Sequence, residues 1–204
     1  GMLIPGGFGS RGVEGKIQAI KYIRTHGIPY LGLCYGMQLA LIEYARNVLG
    51  HNDAHTTEVN KKTRYPVIDV LPEQVTYLRE QNYGGTMRLG AYDGYLKRGT
   101  HAFSAYGAMR DGRWYTRDHD EQTLVIKERH RHRYEVNPEY VSVFEKGGIV
   151  FSGKTSDGIL MEIMEFPKST HPFFIGTQFH PEFTGSFLHP HPLFIAFLKA
   201  SSEK

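Results

Sequence analysis

Residues 1–50 alternate between short uncharged apolar runs and longer stretches whose apolar side chains recur at helical spacing. The runs at residues 2–5 and 28–33 predict parallel strands that are covered on both faces. The stretches at residues 14–25 and 37–48 predict helices, and Gly27 is suitably placed to end the first of them. A glycine-rich loop joins the first strand to the first helix. The order strand, loop, helix, strand, tight turn and helix predicts an α/β fold.

The second half of the chain favours strands that either extend this sheet or pair separately. We predict strands at residues 67–70, 86–89, 124–136, 149–152, 159–165 and 173–179, and a closing amphipathic helix at residues 193–200. The polar residues 109–122 are expected to form an exposed loop or a small hairpin. Because no linker rich in proline, glycine and serine and no repeat is found, we expect one domain. Its sheet should be mostly parallel and flanked by helices, with added antiparallel strands.

Composition excludes several classes of protein. The chain has 204 residues, of which 40% are hydrophobic and 22% charged, which is typical of a soluble globular domain. Its longest uncharged stretch, residues 27–42, contains proline and glycines and falls short of the roughly 20 apolar residues that a membrane helix needs. Residues 1–4 are too short for the apolar part of a secretory signal, so we expect a cytoplasmic protein without a membrane partner. The net charge of +3 predicts no nucleic-acid partner.

Cys34 is the only cysteine, so it cannot form a disulfide within the chain. It lies between Gly32 and Gly36, where a predicted strand turns sharply into a predicted helix, as in the nucleophile elbow of hydrolases with sulfur in place of oxygen. A helix N-terminus favours a thiolate, and nearby backbone N–H groups can stabilise an oxyanion. On this motif alone, an inert buried cysteine remains the alternative reading.

A second motif supplies the base that such a thiol needs. His180 follows the apolar run of residues 173–179 and is expected at a strand end, and Glu182 lies close enough in sequence to orient its imidazole. A cysteine nucleophile, a histidine that shuttles protons and an acid that orients the histidine form a catalytic triad. The combination of an elbow cysteine, a glycine loop and this His-x-Glu motif favours nucleophilic catalysis.

These motifs resemble those of the class I, triad-type glutamine amidotransferases. The shared motifs are Pro5-Gly6-Gly7, Gly32-x-Cys34-x-Gly36-x-Gln38 and Gln178-Phe179-His180-Pro181-Glu182. Longer strings at residues 6–17, 36–40, 45–50, 84–90 and 128–137 resemble, in the same order, the amidotransferase domains of the CTP synthase family. The resemblance covers nearly the whole chain except residues 109–122, and it implies a flavodoxin-like α/β fold.

The resemblance also implies a reaction, the hydrolysis of L-glutamine. Cys34 would attack the side-chain amide, His180 would protonate the departing ammonia and then activate water, and Glu182 would orient His180. Backbone N–H groups of Gly7 and Tyr35 would stabilise the oxyanion. The neighbouring Gly36 and Met37 belong to the same motif and are carried over as substrate-binding positions.

Three further residues match the positions that bind glutamine in this family. They are Gln38, Glu58, which would face the α-ammonium group, and Arg133, which would face the α-carboxylate. These charges suit the substrate, because a guanidinium pairs with a carboxylate and an acid with an ammonium.

The resemblance further implies partners that lie outside this sequence. In the family, ammonia passes to a synthetase domain of the same polypeptide that uses Mg-ATP to aminate UTP, GTP activates the enzyme, and the whole protein is a homotetramer. We expect no cofactor and no metal in this chain. Gly1 corresponds to the interior of the family's domain, so we expect an N-terminally truncated fragment of one amidotransferase domain, residues 1–204, without the first strands and the synthetase domain.

Several features depart from the family pattern or admit another interpretation. Position 35 carries Tyr where Leu is usual, residues 109–122 look inserted, and the segment before Gly84, the family's activator lid, looks short. If extended, residues 129–136 would place Arg129, Arg131, Arg133 and Glu135 on one face and His130, His132, Tyr134 and Val136 on the other. A phosphate or RNA patch, or a metal site at His-x-His, is the less favoured interpretation of this string. A γ-glutamyl peptide hydrolase and a noncatalytic binding module are the alternative functions.

Overall fold

The computed structural model describes residues 1–70, 87–108 and 116–203. Eleven strands and five α-helices are found within these residues. In chain order they are β1 Met2–Ile4, α1 Val13–Thr25, β2 Tyr30–Leu33, α2 Tyr35–Asn47, β3 Ala54–Thr56, β4 Tyr65–Asp69, β5 Arg88–Lys97, α3 His101–Gly107, β6 Thr116–Asp120, β7 Thr123–His132, β8 Glu135–Val136, α4 Pro138–Gly147, β9 Val150–Lys154, β10 Met161–Glu165, β11 Phe174–Thr177 and α5 Pro192–Ser202.

The central sheet has eight strands in the order β1-β2-β11-β10-β9-β5-β7-β6, and a small second sheet has the order β3-β4-β8. Strand β2 is parallel to both of its neighbours, β1 and β11. Every other neighbouring pair in this sheet is antiparallel: β11 with β10, β10 with β9, β9 with β5, β5 with β7 and β7 with β6. The α/β fold with a helix-flanked sheet is confirmed. The expected mostly parallel sheet is corrected to a mixed one, because the short loops between β9, β10 and β11 cannot make the crossover that parallel neighbours require.

Helices cover both faces of the central sheet. Along β2, Tyr30 packs in a core with side chains of α1 and α2, whereas Leu31 and Leu33 pack in a second core with side chains of α3 and α5. This alternation follows from the two-residue period of a strand. The uncharged character of β2 in the sequence is thereby explained, because both of its faces are buried.

The first four predicted elements are confirmed to within two residues at each end. Gly27 has a φ of 63° just beyond α1, as expected for a residue that ends a helix. The predicted strand at residues 124–136 is wrong as one element, because the chain leaves β7 after His132 and β8 joins the other sheet. Glu135 is consequently buried instead of sharing an exposed face with the arginines.

Residues 109–122 were expected to form an exposed loop or a small hairpin; of these, residues 116–120 form β6, which pairs antiparallel with β7 beyond the stretch, and residues 109–115 lie outside the described residues. The predicted strand at residues 86–89 overlaps the start of β5, and residue 86 lies outside the described part, as does the segment before Gly84. Within the described ranges, no helix is long and apolar enough to cross a membrane.

Candidate active site

Cys34 lies at the turn between β2 and α2 in a strained backbone conformation. Its φ of 49° and ψ of −100° make it the one non-glycine residue with positive φ in the described parts of the chain. Its backbone N–H donates to the carbonyl oxygen of Thr177 at 2.6 Å, which ties the turn to β11. The flanking glycines are sterically required: a Cβ on Gly36 would lie 2.5 Å from the carbonyl oxygen of Ile4, and one on Gly32 would lie 2.8 Å from the Gly36 carbonyl carbon.

Cys34 is 4% exposed, and burial raises the pKa of its thiol to about 12. The backbone N–H of Tyr35 opposes this shift of the pKa, and so does the amide of Gln178, whereas the charges of Glu135 and Glu182 reinforce it. A thiol with this pKa is uncharged at neutral pH, so it would act as a nucleophile only with a base beside it.

His180 follows β11 and is oriented on both sides. Its Nδ1 lies 2.7 Å from Oε1 of Glu182, and its ring stacks on Phe183 with ring centroids 4.5 Å apart. Burial opposes ionisation of Glu182, but the hydrogen bond with His180 and nearby positive charge outweigh burial and lower the pKa of the carboxyl. The other ring nitrogen, Nε2, is buried without a hydrogen-bond partner among the described residues. That nitrogen is the one available to exchange a proton.

One cavity of about 530 Å³ brings these groups together with most of the predicted substrate-binding residues. Both Cys34 and His180 line it, as do four other sequence-predicted positions and several residues that the sequence did not indicate. The lining residues are Gly7, Phe8, Cys34, Gln38, Glu58, Met87, Arg131, His132, Arg133, Tyr134, His180 and Phe183. A thiol, an imidazole, a carboxylate and a guanidinium thus face one space of a size suited to a small molecule.

Two of the predicted binding side chains are already held by hydrogen bonds. Nε2 of Gln38 donates to the carbonyl oxygen of Tyr134 at 2.9 Å and to Oε1 of Gln178 at 3.1 Å. Oε1 of Glu58 accepts from the backbone N–H of Gly9 at 3.0 Å, which fixes the glycine loop against the cavity. These contacts restrict the side chains before any ligand binds.

The remaining predicted positions are at the start of α2. The hydroxyl of Tyr35 donates to the carbonyl oxygen of Gly9 at 2.6 Å, so the unusual tyrosine holds the glycine loop while its backbone N–H faces the sulfur. Gly36 and Met37 do not line the cavity: Gly36 packs on β1, and Met37 packs on Gly176 of β11. The structure gives these two a role in packing the turn.

A buried charged cluster lies next to the cavity, and the sequence analysis did not foresee it. Arg88 donates to Oε1 of Glu162 at 2.7 Å and lies 3.5 Å from Oε1 of Glu135. His130 and His132 pack on the same carboxylates, and burial together with Arg88 lowers the pKa of both imidazoles. The His-x-His pair thus belongs to an ion-pair cluster, and among the described residues no group of metal-ligating side chains could hold a metal ion.

A second buried network supports the turn that carries Glu182. The carboxylate of Glu128 accepts hydrogen bonds from the hydroxyls of Tyr106 at 2.7 Å and Thr184 at 3.1 Å. Nε2 of His191 lies 2.9 Å from the same carboxylate. Because Thr184 directly follows the turn Pro181–Phe183, the network connects α3, β7 and α5 to the segment that orients His180.

Comparison with known proteins gives consistent matches. A family profile for glutamine amidotransferase class-I matches residues 1–200. The CTP synthase of Halalkalibacterium halodurans is 52% identical over 204 residues, which are 100% of this chain and 35% of that protein. The CTP synthase of Bacillus subtilis is 50% identical over 203 residues, or 100% of this chain and 34% of that protein. The chain therefore spans about a third of the length of these curated relatives.

A solved structure also matches nearly the whole chain. It is described as the glutaminase domain of Trypanosoma brucei CTPS with bound acivicin, and it is 34% identical in sequence with a TM-score of 0.82. The match covers 99% of this chain and 70% of that chain.

Proposed function

The chain belongs to the class-I glutamine amidotransferase family and corresponds to the glutaminase domain of CTP synthase, and we propose that it hydrolyses L-glutamine to glutamate and ammonia through a thioester on Cys34. The observation that carries the proposal is the shared cavity. Cys34 and His180 both line it, Nε2 of His180 has no hydrogen-bond partner in the described part of the chain, and Nδ1 is held by Glu182.

In the first half-reaction, Nε2 of His180 takes the proton of Cys34 as Sγ attacks the side-chain carbonyl carbon of glutamine. The S–C bond forms, and the backbone N–H groups of Gly7 and Tyr35 receive the oxyanion. Loss of one such donor typically costs about 3 to 4 kcal/mol of transition-state stabilisation. The C–N bond then breaks, and ammonia leaves with the proton from His180.

In the second half-reaction, His180 takes a proton from water as the water oxygen attacks the thioester. The S–C bond breaks, glutamate forms, and the proton returns to the sulfur. Glu182 holds the imidazole in one tautomer throughout and stabilises its positive charge. The raised pKa of Cys34 favours this order of events, because a proton transfer coupled to attack does not require a standing thiolate.

Substrate selection is assigned to three side chains of the cavity, two at the α-carbon of glutamine and one at its side-chain amide. We propose that Glu58 receives the α-ammonium group, that Arg133 receives the α-carboxylate and that Oε1 of Gln38 accepts from the substrate amide, since the hydrogen bonds of Gln38 to Tyr134 and Gln178 both use Nε2. An acid and a guanidinium in one cavity suit the α-ammonium and α-carboxylate groups that glutamine and a γ-glutamyl peptide share, so the choice of free glutamine is supported by the family match and not by these two side chains. A higher kcat/KM for a γ-glutamyl peptide than for glutamine would overturn this choice.

Because the longer relatives are named CTP synthase, we extend the proposal to a whole protein of that kind. There, ammonia would reach a synthetase domain of the same polypeptide that uses Mg-ATP to convert UTP to CTP. Activation by GTP, assembly as a homotetramer and a cytoplasmic location are part of the same proposal. The described chain itself would supply only glutamine hydrolysis, without a cofactor.

The direct test measures glutamate release from glutamine by the chain and by Cys34→Ala. The proposal expects turnover in the first and none above background in the second. Equal turnover in both would falsify the nucleophile assignment. A glutamine analogue with an electrophilic carbon should add once to the wild-type chain, at Cys34, and not to the variant; a competent fold that forms no adduct would support a noncatalytic binding module instead.

A further inference from the structure

Gln178 directly follows β11, two residues before His180, and it is fully buried. Its carboxamide lies between two functional side chains: Nε2 is 3.7 Å from Sγ of Cys34, and Oε1 accepts from Nε2 of Gln38 at 3.1 Å. The backbone N–H of Gln178 donates to the carbonyl oxygen of Glu162 at 2.8 Å, which fixes the backbone of Gln178 to β10.

The direction of this chain of hydrogen bonds is determined by a backbone atom. The carbonyl oxygen of Tyr134 can only accept, so the atom of Gln38 that meets it at 2.9 Å must be the amide nitrogen. The same nitrogen then donates to Gln178, whose oxygen must face it. The amide nitrogen of Gln178 is therefore the atom directed at the sulfur, and this orientation does not depend on the usual ambiguity of carboxamide groups.

We infer that Gln178 is a positioning residue for the nucleophile: its carboxamide, fixed by Gln38, holds Sγ of Cys34 and donates a hydrogen bond that strengthens as negative charge develops on the sulfur. The inference deepens the proposed function, on which it rests. It also connects substrate binding to the nucleophile, because Gln38 both lines the cavity and fixes the donor.

The charges around the sulfur make such a donor valuable. Glu135 on β8 and Glu182 after β11 both disfavour a thiolate at Cys34, and burial disfavours it more strongly. Two donors oppose them, the backbone N–H of Tyr35 and the side chain of Gln178. A side-chain donor can be removed by substitution, whereas the backbone N–H of Tyr35 cannot. A substitution at Gln178 therefore tests how much such a donor contributes to the reactivity of Cys34.

The test uses the rate of Cys34 alkylation by iodoacetamide at one fixed pH well below the pKa of the thiol, where the rate follows the thiolate fraction; the reaction is specific because the chain has one cysteine. Gln178→Met keeps the length of the side chain and removes both its donor to Cys34 and its acceptor for Gln38, whereas Gln178→Glu keeps the acceptor and replaces the donor with a charged oxygen. We expect the alkylation rate to fall roughly tenfold in Gln178→Met, since a hydrogen bond to a charged group is worth about tenfold or more. Gln178→Glu should lower the rate further.

Glutamine hydrolysis gives a second readout. Because the donor acts mainly once charge develops on sulfur, kcat should fall roughly tenfold or more in both variants, and KM should change little in Gln178→Glu, which keeps the acceptor for Gln38. Ser152→Ala is the matched control: it removes a buried hydrogen bond, from Ser152 to Glu165 at 3.0 Å, between two residues that do not line the cavity. It should lower the melting temperature while leaving the alkylation rate and kcat unchanged.

Wild-type alkylation rates in both Gln178 variants would overturn the inference, whatever their melting temperatures, because a purely structural role changes stability alone. If Gln178→Met does not fold, Gln178→Leu, which also lacks the donor and adds no charge, takes its place. The result is separable from the proposed function. A chain that hydrolyses no glutamine would refute that function, whereas the alkylation rates would still report on the contact between Gln178 and Cys34.

Discussion

Gly6 leaves no room for a side chain beside His180: a Cβ at this position would lie 2.7 Å from Cε1 of the imidazole and 3.6 Å from Cβ of Cys34. The glycine loop therefore has a steric role beside the proposed one of donating backbone N–H groups to an oxyanion. It also bounds the space in which the imidazole can lie, with Phe183 stacked on the ring and Glu182 holding Nδ1.

Gly6→Ala is expected to displace the imidazole of His180 and to lower kcat roughly hundredfold, because a misplacement near 1 Å in a catalytic group costs about that much. The fold should persist, since the side chain of His180, and not backbone, meets the new methyl group. Steady-state kinetics with glutamine, together with the melting temperature, tests both parts.

Gly15→Ala is the control for this change. Gly15 lies in α1, and a methyl group added there would meet nothing within 4 Å, so alanine should stabilise the chain by about 0.5 to 1 kcal/mol and leave kcat unchanged. Full activity in Gly6→Ala would show that the loop does not confine His180.

The elbow at Cys34 and the contact between His180 and Glu182 were predictable from the sequence because their signals are local. A cysteine between two glycines, after an uncharged run and before a helical pattern, specifies the elbow at Cys34 with few alternatives. The pairing of His180 with Glu182 needs only two residues of separation. What the elbow packs against is not local: Gln178 reaches Cys34 from 144 residues away in the chain, and no pattern near either residue indicates the contact.

The elements that the sequence analysis does not predict have two different causes. Helix α4 is absent from the prediction although its signals are present, since Asn137 accepts from the N–H of Glu139 as an N-terminal cap, Pro138 follows, and Gly148 ends the helix with a φ of 108°. The mixed sheet and the buried Arg88 cluster are not predictable in this way, because strand order and partner choice depend on long-range packing. Charged residues in strands ordinarily indicate a solvent-exposed face. Arg129 and Arg131 of β7 follow this rule and are exposed, whereas Glu135 of β8 breaks it and is buried.

The ion pair between helices α1 and α2 should contribute strongly to stability. Arg24 donates through Nε and a terminal nitrogen to both carboxylate oxygens of Glu43, at 2.8 and 2.9 Å, and Glu43 is fully buried. Arg24→Met leaves that carboxylate unpaired and should lower the free energy of unfolding by about 3 kcal/mol. Urea unfolding of Arg24→Met and of the wild-type chain measures this difference in the free energy of unfolding.

A surface pair provides the comparison for Arg24. Lys154 lies 2.9 Å from Glu145, and both side chains are substantially exposed, so Lys154→Met should cost less than about 1 kcal/mol. If Lys154→Met and Arg24→Met lower the free energy of unfolding equally, burial of Glu43 does not increase the contribution of its ion pair to stability.

The network around Glu128 predicts unequal effects of two tyrosine substitutions. Tyr106→Phe removes a hydrogen bond to a buried carboxylate and should cost about 2 kcal/mol. Tyr44→Phe removes a hydrogen bond of similar length, 2.6 Å to the carbonyl oxygen of Gly147, and should cost about 1 kcal/mol. Thermal unfolding ranks the two variants, and a smaller loss in Tyr106→Phe would contradict a supporting role of the carboxylate.

The last prediction concerns the pH dependence of stability through Glu135. Burial raises the pKa of this carboxyl to about 8, with Glu162 adding to the shift of the pKa and Arg88 opposing it. A folded-state pKa above the unfolded value means that the folded chain binds the extra proton, so stability from this group decreases as pH rises from the unfolded pKa through the folded one. Glu135→Gln removes that decrease. The melting temperature of Glu135→Gln relative to wild type should therefore increase between about pH 5 and about pH 9, whatever constant offset the lost contact with Arg88 introduces. A difference that stays flat or declines over this range would show that Arg88 keeps Glu135 ionised throughout.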